Sequence, residues 1–331
     1  MGAVLVRAVV AITLGVGGAY ALFWLGNALV DRFAKKDPDK IRAGVFVAPA
    51  MFVVGLFLVF PLFETIRLTF YSNNQVRGEG RAFVGLDNYT AVLSDQVFFS
   101  SLWNNILWMI FVPSFAVAIG LAAAVLSDKL KPRWENFSKS LVFLPMAISF
   151  VGASVVWQLI YNWRPPSEGQ TGLLNGIWVG VFGGDPIAWL DRTAFNDFAL
   201  MAVMVWLQAG FAMVLLSAAI KSVPEDTLEA ARIDGASEIQ VFWRIIVPQI
   251  ASTIVVVATT ILILVLKVFD IVSVLGRGGQ FGTEVIANTF YTQFESGNYG
   301  TAGVYVVVLV LMTIPFMILN IRRFREQEAM R

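Results

Sequence analysis

Residues 221–248 read KSVPEDTLEAARIDGASEIQVFWRIIVP, a polar segment set between the apolar runs 197–220 and 249–270. Ser222 followed by Glu225 has the spacing of a capping box, and Pro224 is tolerated in a first helical turn. Glu225, Asp226 and Glu229 lie near that start, where the helix dipole favours negative charge. Gly235 can take the left-handed conformation that stops a helix. Ser237 and Gln240 repeat the capping-box spacing. The stretch therefore predicts two short helices around a glycine turn, the second leading to Pro248 at the entry to the next apolar run. Ala230 and Ala231 keep the first helix slim, Leu228 and Ile233 give it apolar contact, and Glu229, Arg232 and Asp234 give it charge. Such a helix suits a groove on another protein. It suits equally an amphipathic helix packed on its own bundle, and residue types leave both readings open.

Outward from this segment the chain is dominated by apolar runs. Seven are long enough to cross a bilayer, which takes about 20 residues: roughly 3–30, 43–70, 103–127, 140–161, 197–220, 249–270 and 301–321. Each closes its backbone hydrogen bonds internally, so helices are expected. The 331 residues are 57% hydrophobic and 14% charged, with mean hydropathy +0.72. A soluble domain carries about a quarter charged residues, so a soluble enzyme and a disordered chain are both excluded. The chain has neither Cys nor His. That removes a Cys/His zinc site, a disulfide scaffold, a thiol nucleophile, a Ser-His-Asp triad and a His proton relay. A formal charge of +1 gives no field that would recruit nucleic acid. No metal or cofactor is expected.

Lysine and arginine sort the loops into two alternating sets. Loops 31–42, 128–139 and 221–248 and the tail 322–331 hold sixteen of them, among them Arg32, Lys35, Lys36, Lys139, Lys221 and Arg331. Loops 72–102, 162–196 and 271–300 hold five: Arg77, Arg81, Arg164, Arg192 and Arg277. The positive-inside rule places the rich set, and with it the C-terminus, in the cytoplasm. Seven spans then place the N-terminus outside. Read instead as a signal peptide, run 3–30 lacks a basic n-region and a small-residue cleavage site. The outer loops carry aromatics and turn formers, including Trp163, Pro165, Gly183, Pro186 and Trp189, that suit folded caps or interfacial anchors.

The pattern Glu229-Ala230-Ala231, three residues, Gly235, nine residues, Ile245, one residue, Val247-Pro248 resembles the EAA loop of ABC importer permeases, with Val247 where the family usually has Leu. Val84-Gly85-Leu86-Asp87-Asn88-Tyr89, Phe143-Leu144-Pro145, and Lys267 to Asp270 running to Gly278-Gly279 are similar to the sugar-permease branch. The resemblance covers about residues 80–325, and is greatest to α-glucoside and maltose permease subunits. It implies an all-α integral membrane protein of about seven transmembrane helices with a type I permease core. Its parts would be two N-terminal spans in 1–80, an extracytoplasmic segment 81–102, and a permease domain 103–325 containing the coupling loop 221–248. Glu229, Ala230, Ala231, Asp234, Gly235 and Pro248 would couple transport to a separate ATP-hydrolysing subunit. This chain has no G-x-x-x-x-G-K-[ST] phosphate loop of its own, so it is expected to be a transport subunit and not an enzyme. The implied partners are a second homologous permease, two ATP-binding subunits, an extracytoplasmic solute-binding protein, a sugar and the lipid bilayer, with no nucleic acid. The implied location is the cytoplasmic (inner) membrane of a bacterium.

By the same resemblance the solute pathway lies on the fourth to sixth spans. Its candidate residues are Met146, Ser149, Phe150, Trp157, Gln158, Trp206 and Gln208, since sugars are bound by aromatic faces and a few hydrogen-bonding groups. Trp157 and Trp206 also read as packing residues, and mid-span Gln208 as an inter-helix hydrogen bond. Lys267 and Asp270, three apart, are expected to share one helical face as an intramembrane pair, and Glu64 and Arg67 repeat that spacing in the second span. The sixth span carries Ile261-Leu-Ile-Leu-Val-Leu266 where the maltose-type subunit is Asn-rich, which shifts sugar specificity toward a partner. An ion-coupled secondary transporter is the rival reading. It would need intramembrane acids or paired repeats, and the charges here are few. A scaffold without transport and a membrane enzyme are poorer fits.

Overall fold

The computed structural model describes residues 38–73, 81–191 and 195–329, with scattered positions between Arg7 and Val30. Part of run 3–30, and the loop cations Arg32, Lys35, Lys36, Arg77, Arg192 and Arg331, lie outside the described residues. Among the described residues the regular structure is helical, apart from one antiparallel bridge between Tyr71 and Phe83. The chain divides into two compact units, Met1–Arg67 and Leu68–Arg331.

In the first unit, α1 (Pro38–Val54) passes through a π turn, Gly55–Val59, into α2 (Phe60–Leu68). Together they supply an apolar stretch, Ala43–Leu68, long enough to span a membrane. The ring of Phe46 stacks on Phe23 at 5.2 Å. Glu64 and Arg67 form the expected pair at 2.6 Å on an exposed face.

The second unit runs through α3 (Asp87–Leu93), α4 (Gln96–Asp128), α5 (Pro132–Phe143), α6 (Phe150–Ile160), α7 (Leu173–Phe182) and α8 (Asn196–Lys221). It continues through α9 (Glu225–Ile233), α10 (Glu238–Val241), α11 (Val247–Gln249), α12 (Ala251–Leu266), α13 (Asp270–Val274), α14 (Ile286–Glu295) and α15 (Tyr299–Ala329). The apolar runs 103–127, 197–220 and 301–321 lie within α4, α8 and α15. Helix α4 begins earlier than its run because Asp95 caps it, accepting from Val97 N at 3.0 Å.

Two expected spans are not continuous helices. Run 140–161 is broken between α5 and α6 by a 103° bend. Pro145 has no N–H for an α-helical bond and sits in a 3-10 turn, Leu144–Ala147. Ile148 then turns extended (φ −88°, ψ 138°), and Ser149 restarts the chain as N-cap of α6 by accepting from Gly152 N. Run 249–270 ends sooner than expected. Helix α12 stops at Leu266, Lys267 leaves helical geometry (φ −106°, ψ 25°), and Asp270 opens α13.

Helix α8 is the axis of this unit. Leu200, Met201, Val203, Met204, Leu207, Ala212, Met213 and Leu216 are all buried along it. Helix α4 packs on it closely because Gly120 has no side chain: a Cβ there would run into Ala212 and the backbone of Met213. Gly210 does the same for the end of α5, where a Cβ would meet the Val142 carbonyl. Small residues at helix crossings are the usual means of close packing in a bilayer. One end of the bundle is tied by buried asparagines. Asn105 donates to Leu266 O (3.1 Å) and accepts from Ile286 N (2.8 Å). Asn104 donates to Gly282 O and Glu284 O, and Asn196 to Phe281 O.

Candidate functional site

The segment 221–248 folds as two short helices around a glycine turn. Gly235 takes φ +84°, and the Ser237–Gln240 capping box is complete. One expectation is corrected. Ser222 does not cap α9; it closes α8 by donating to Ala219 O at 2.7 Å. The residue before α9 is Pro224, which has no side-chain cap bond. The turn is braced by Arg232, which donates to Glu238 at 2.8 Å. That guanidinium holds the Glu238 carboxyl below the usual carboxylate range. A depressed carboxylate contributes above its unfolded-state pKa and loses that contribution only as pH falls through the folded value. The brace is therefore intact at neutral pH.

Helix α9 has two faces. Leu228 and Ala231 are half-buried, with Leu228 against the main core. Glu229, Ala230, Arg232, Ile233 and Asp234 are exposed, Ile233 to 85%. Pro248 is the second residue of the short α11, which follows a π turn at Phe242–Ile246. At the foot of the loop is a charge knot. Lys139 Nζ donates to Asp128 (2.7 Å), Glu135 (2.6 Å) and Ser217, while Ser217 Oγ donates to Asp128 (2.8 Å). Lys221, the first residue of the loop, pairs with Glu135. The knot fastens α4, α5 and α8 where the loop leaves the bundle, so α9 stands on a fixed base.

The expected pathway residues are only partly brought together. Trp157 packs edge-on against Trp206 (5.7 Å) and beside Tyr161 (5.1 Å), and its buried Nε1 has no partner among the described residues. Phe150 packs on the same core. Gln208 is 5% exposed in the middle of α8 and makes no side-chain hydrogen bond among the described residues, unlike the inter-helix bond that was one reading of it. Gln158 lies at the far end of α6 and donates to Val274 O (3.2 Å). Lys267 and Asp270 do not share a helical face, because the chain breaks between them.

Residues 106–322 match the model of the binding-protein-dependent transport system inner membrane component. The chain belongs to that family. The osmoprotective compounds uptake permease of Synechocystis sp. is 48% identical over 87% of this chain and 100% of its own length. The alpha-glucoside transport system permease of Rhizobium meliloti is 42% identical over 98% of each. The trehalose/maltose transport system permease of Thermococcus litoralis is 30% identical over 85% of this chain and 94% of its own. The fold matches a chain of a bacterial alginate ABC transporter, with TM-score 0.73 at 19% identity, over 87% of this chain and 95% of that one.

This is therefore an inner-membrane permease subunit of an ABC importer, a transport component whose ATPase is a separate subunit. Helix α9 is thus joined to the core through Leu228, and the loop that carries it to the charge knot through Lys221. Sequence reasoning missed Asp191. It also counted Arg277 only as a loop cation. The signal was the run Gly276-Arg277-Gly278-Gly279-Gln280-Phe281-Gly282, in which Arg277 (φ +50°) and Phe281 (φ +57°) are left-handed although neither is glycine.

Proposed function

We propose that this permease subunit imports an α-glucoside or a related oligosaccharide by alternating access, with α9 as the coupling helix. The observation that carries the coupling role is the exposed face of Glu229, Ala230 and Ile233 on a helix whose opposite face is seated on the core. The solute class rests on the relatives named for osmoprotective compounds, α-glucosides and trehalose/maltose. Glu229 to Gly235 dock in a cleft of an ATP-binding subunit, and Pro248 fixes the loop's return to the membrane. Two such subunits close on ATP and drive two permeases, this one and a homologue, outward as rigid bodies. An extracytoplasmic binding protein delivers the sugar, and Phe150, Trp157, Gln158, Gln208, Lys267 and Asp270 border its route. The C-terminus is cytoplasmic, residues 103–325 form the permease domain, and 81–102 lie outside.

The test is ATPase activity of the co-purified complex in nanodiscs, with and without binding protein, across a panel of α-glucosides. One liganded binding protein should stimulate it, and Glu229→Lys should abolish that stimulation while inserting normally in the membrane. Uptake that survives Glu229→Lys would remove α9 from coupling. Uptake abolished by an uncoupler while ATP is maintained would replace the importer with an ion-coupled transporter.

A further inference from the structure

A group of polar and aromatic side chains outside the coupling loop lines a cavity of about 440 Å³ at the other end of the bundle. Helix α8 has 26 residues, so that end is about 39 Å from the loop. Six residues give the cavity its character: Gln158, Tyr161, Trp163, Trp189, Asp191 and Arg277. Arg277 donates to Asp191 at 3.0 Å, across 86 positions of sequence. Its backbone is left-handed at φ +50°, a conformation that persists in a non-glycine residue only where its surroundings hold it. Here they do: Asn196 and Asn104 tie down the carbonyls of Phe281 and Gly282 in the same loop.

The aromatic walls are fixed as well. Trp189 donates from Nε1 to Asn175 Oδ1 (3.2 Å), and Asn175 is fully buried and also holds Ile187 N, Ile187 O and Asn162 O. Tyr161 is buried and spends its hydroxyl on Ala199 O (2.9 Å), which leaves the ring as wall. Trp163 is 39% exposed at the rim. Gln158 uses its amide nitrogen on Val274 O, leaving the amide oxygen to accept.

We propose that this cavity is an entry subsite for a neutral polyhydroxylated ring, occupied before the solute reaches the membrane-spanning pathway. The Asp191–Arg277 pair cancels its own charge, so the cavity has no net charge with which to select an ion. A carboxylate and a guanidinium side by side offer strong acceptors and donors at the spacing of neighbouring hydroxyls. Indole faces offer apolar area for the C–H face of a pyranose. The volume lies in the range of small-molecule sites, about 300–1,000 Å³. This inference rests on the sugar reading given above.

The experiment uses the assembled transporter in nanodiscs with its binding protein, and an α-glucoside bearing a diazirine on its aglycone. After irradiation, labelled peptides are mapped by mass spectrometry, and uptake of the unmodified sugar is measured in parallel. We expect label in 158–163 or 185–191, displaced by excess unmodified sugar. Asp191→Asn and Trp163→Ala should each lower the labelling at least 5-fold. Sugar uptake with label confined to other segments would overturn the subsite and leave the sugar reading standing. No uptake of any α-glucoside by the unaltered complex would overturn both. The mapping on the unaltered chain does not depend on either variant folding.

Discussion

Gly235 is the residue on which the loop 221–248 turns. Its φ of +84° is open to glycine and costs a residue with a Cβ about 1–2 kcal/mol. No atom crowds the position, so a Cβ itself would fit and the cost is one of conformation alone. Gly235→Ala should therefore strain the exposed loop and leave the packing of the buried bundle untouched. It should speed proteolysis within 221–248 and lower uptake in part, whereas Gly235→Asn, which tolerates the left-handed region better, should do less on both measures. Equal effects of the two would show that tolerance of the left-handed region does not set the cost at this position. The glycine stop and the Ser237–Gln240 box were legible because each is a local contest decided within a few residues. Ser222 was misread for the same reason: Ser-x-x-Glu spacing also occurs where a serine still belongs to the last turn of the preceding helix, as Ser222 does in α8.

At the scale of elements, the apolar runs named the spans but not their breaks. Hydropathy registers what a segment is made of, while the bend at Pro145–Ser149 and the end of α12 at Leu266 depend on where backbone groups find partners. Asn105 settles one of these. It accepts from the first N–H of α14 and donates to the last carbonyl of α12, fully buried. Asn105→Leu should leave both groups unpaired at about 1–3 kcal/mol each, and lower the thermal midpoint of the purified chain in detergent. An unchanged midpoint would mean that water replaces the amide. At the other end, cations that sequence reading counted as loop charge prove to be structural. Removing Lys139 leaves Asp128 and Glu135 together, both mostly buried, with Lys221 as their remaining cation. Lys139→Met should destabilise the bundle by up to about 3 kcal/mol, and Lys139→Arg should restore most of it. If the methionine variant melts with the unaltered chain, the knot is ornamental and α9 has some other anchor.

For the whole molecule, sidedness and docking can be read in one experiment, because the chain has no cysteine of its own. Every introduced thiol is therefore a single reporter. Val181, 72% exposed on α7, lies beside the cavity end, and Ile233, 85% exposed, lies at the tip of α9. The topology proposed from the loop charges has the first outside and the second in the cytoplasm. The composition and periodicity that made the bundle legible set these two ends apart, whereas the Asp191–Arg277 cavity was hidden because its halves are 86 residues apart and meet only in the fold. In intact cells a membrane-impermeant maleimide should label Val181→Cys. It should label Ile233→Cys only after permeabilisation, and then slowly under the docking proposed for α9. Stripping that subunit from the purified complex should raise the Ile233→Cys rate at least 10-fold and leave Val181→Cys unchanged. Labelling of Ile233→Cys in intact cells would invert the topology. A rate indifferent to the ATPase would place its docking surface elsewhere on the cytoplasmic face.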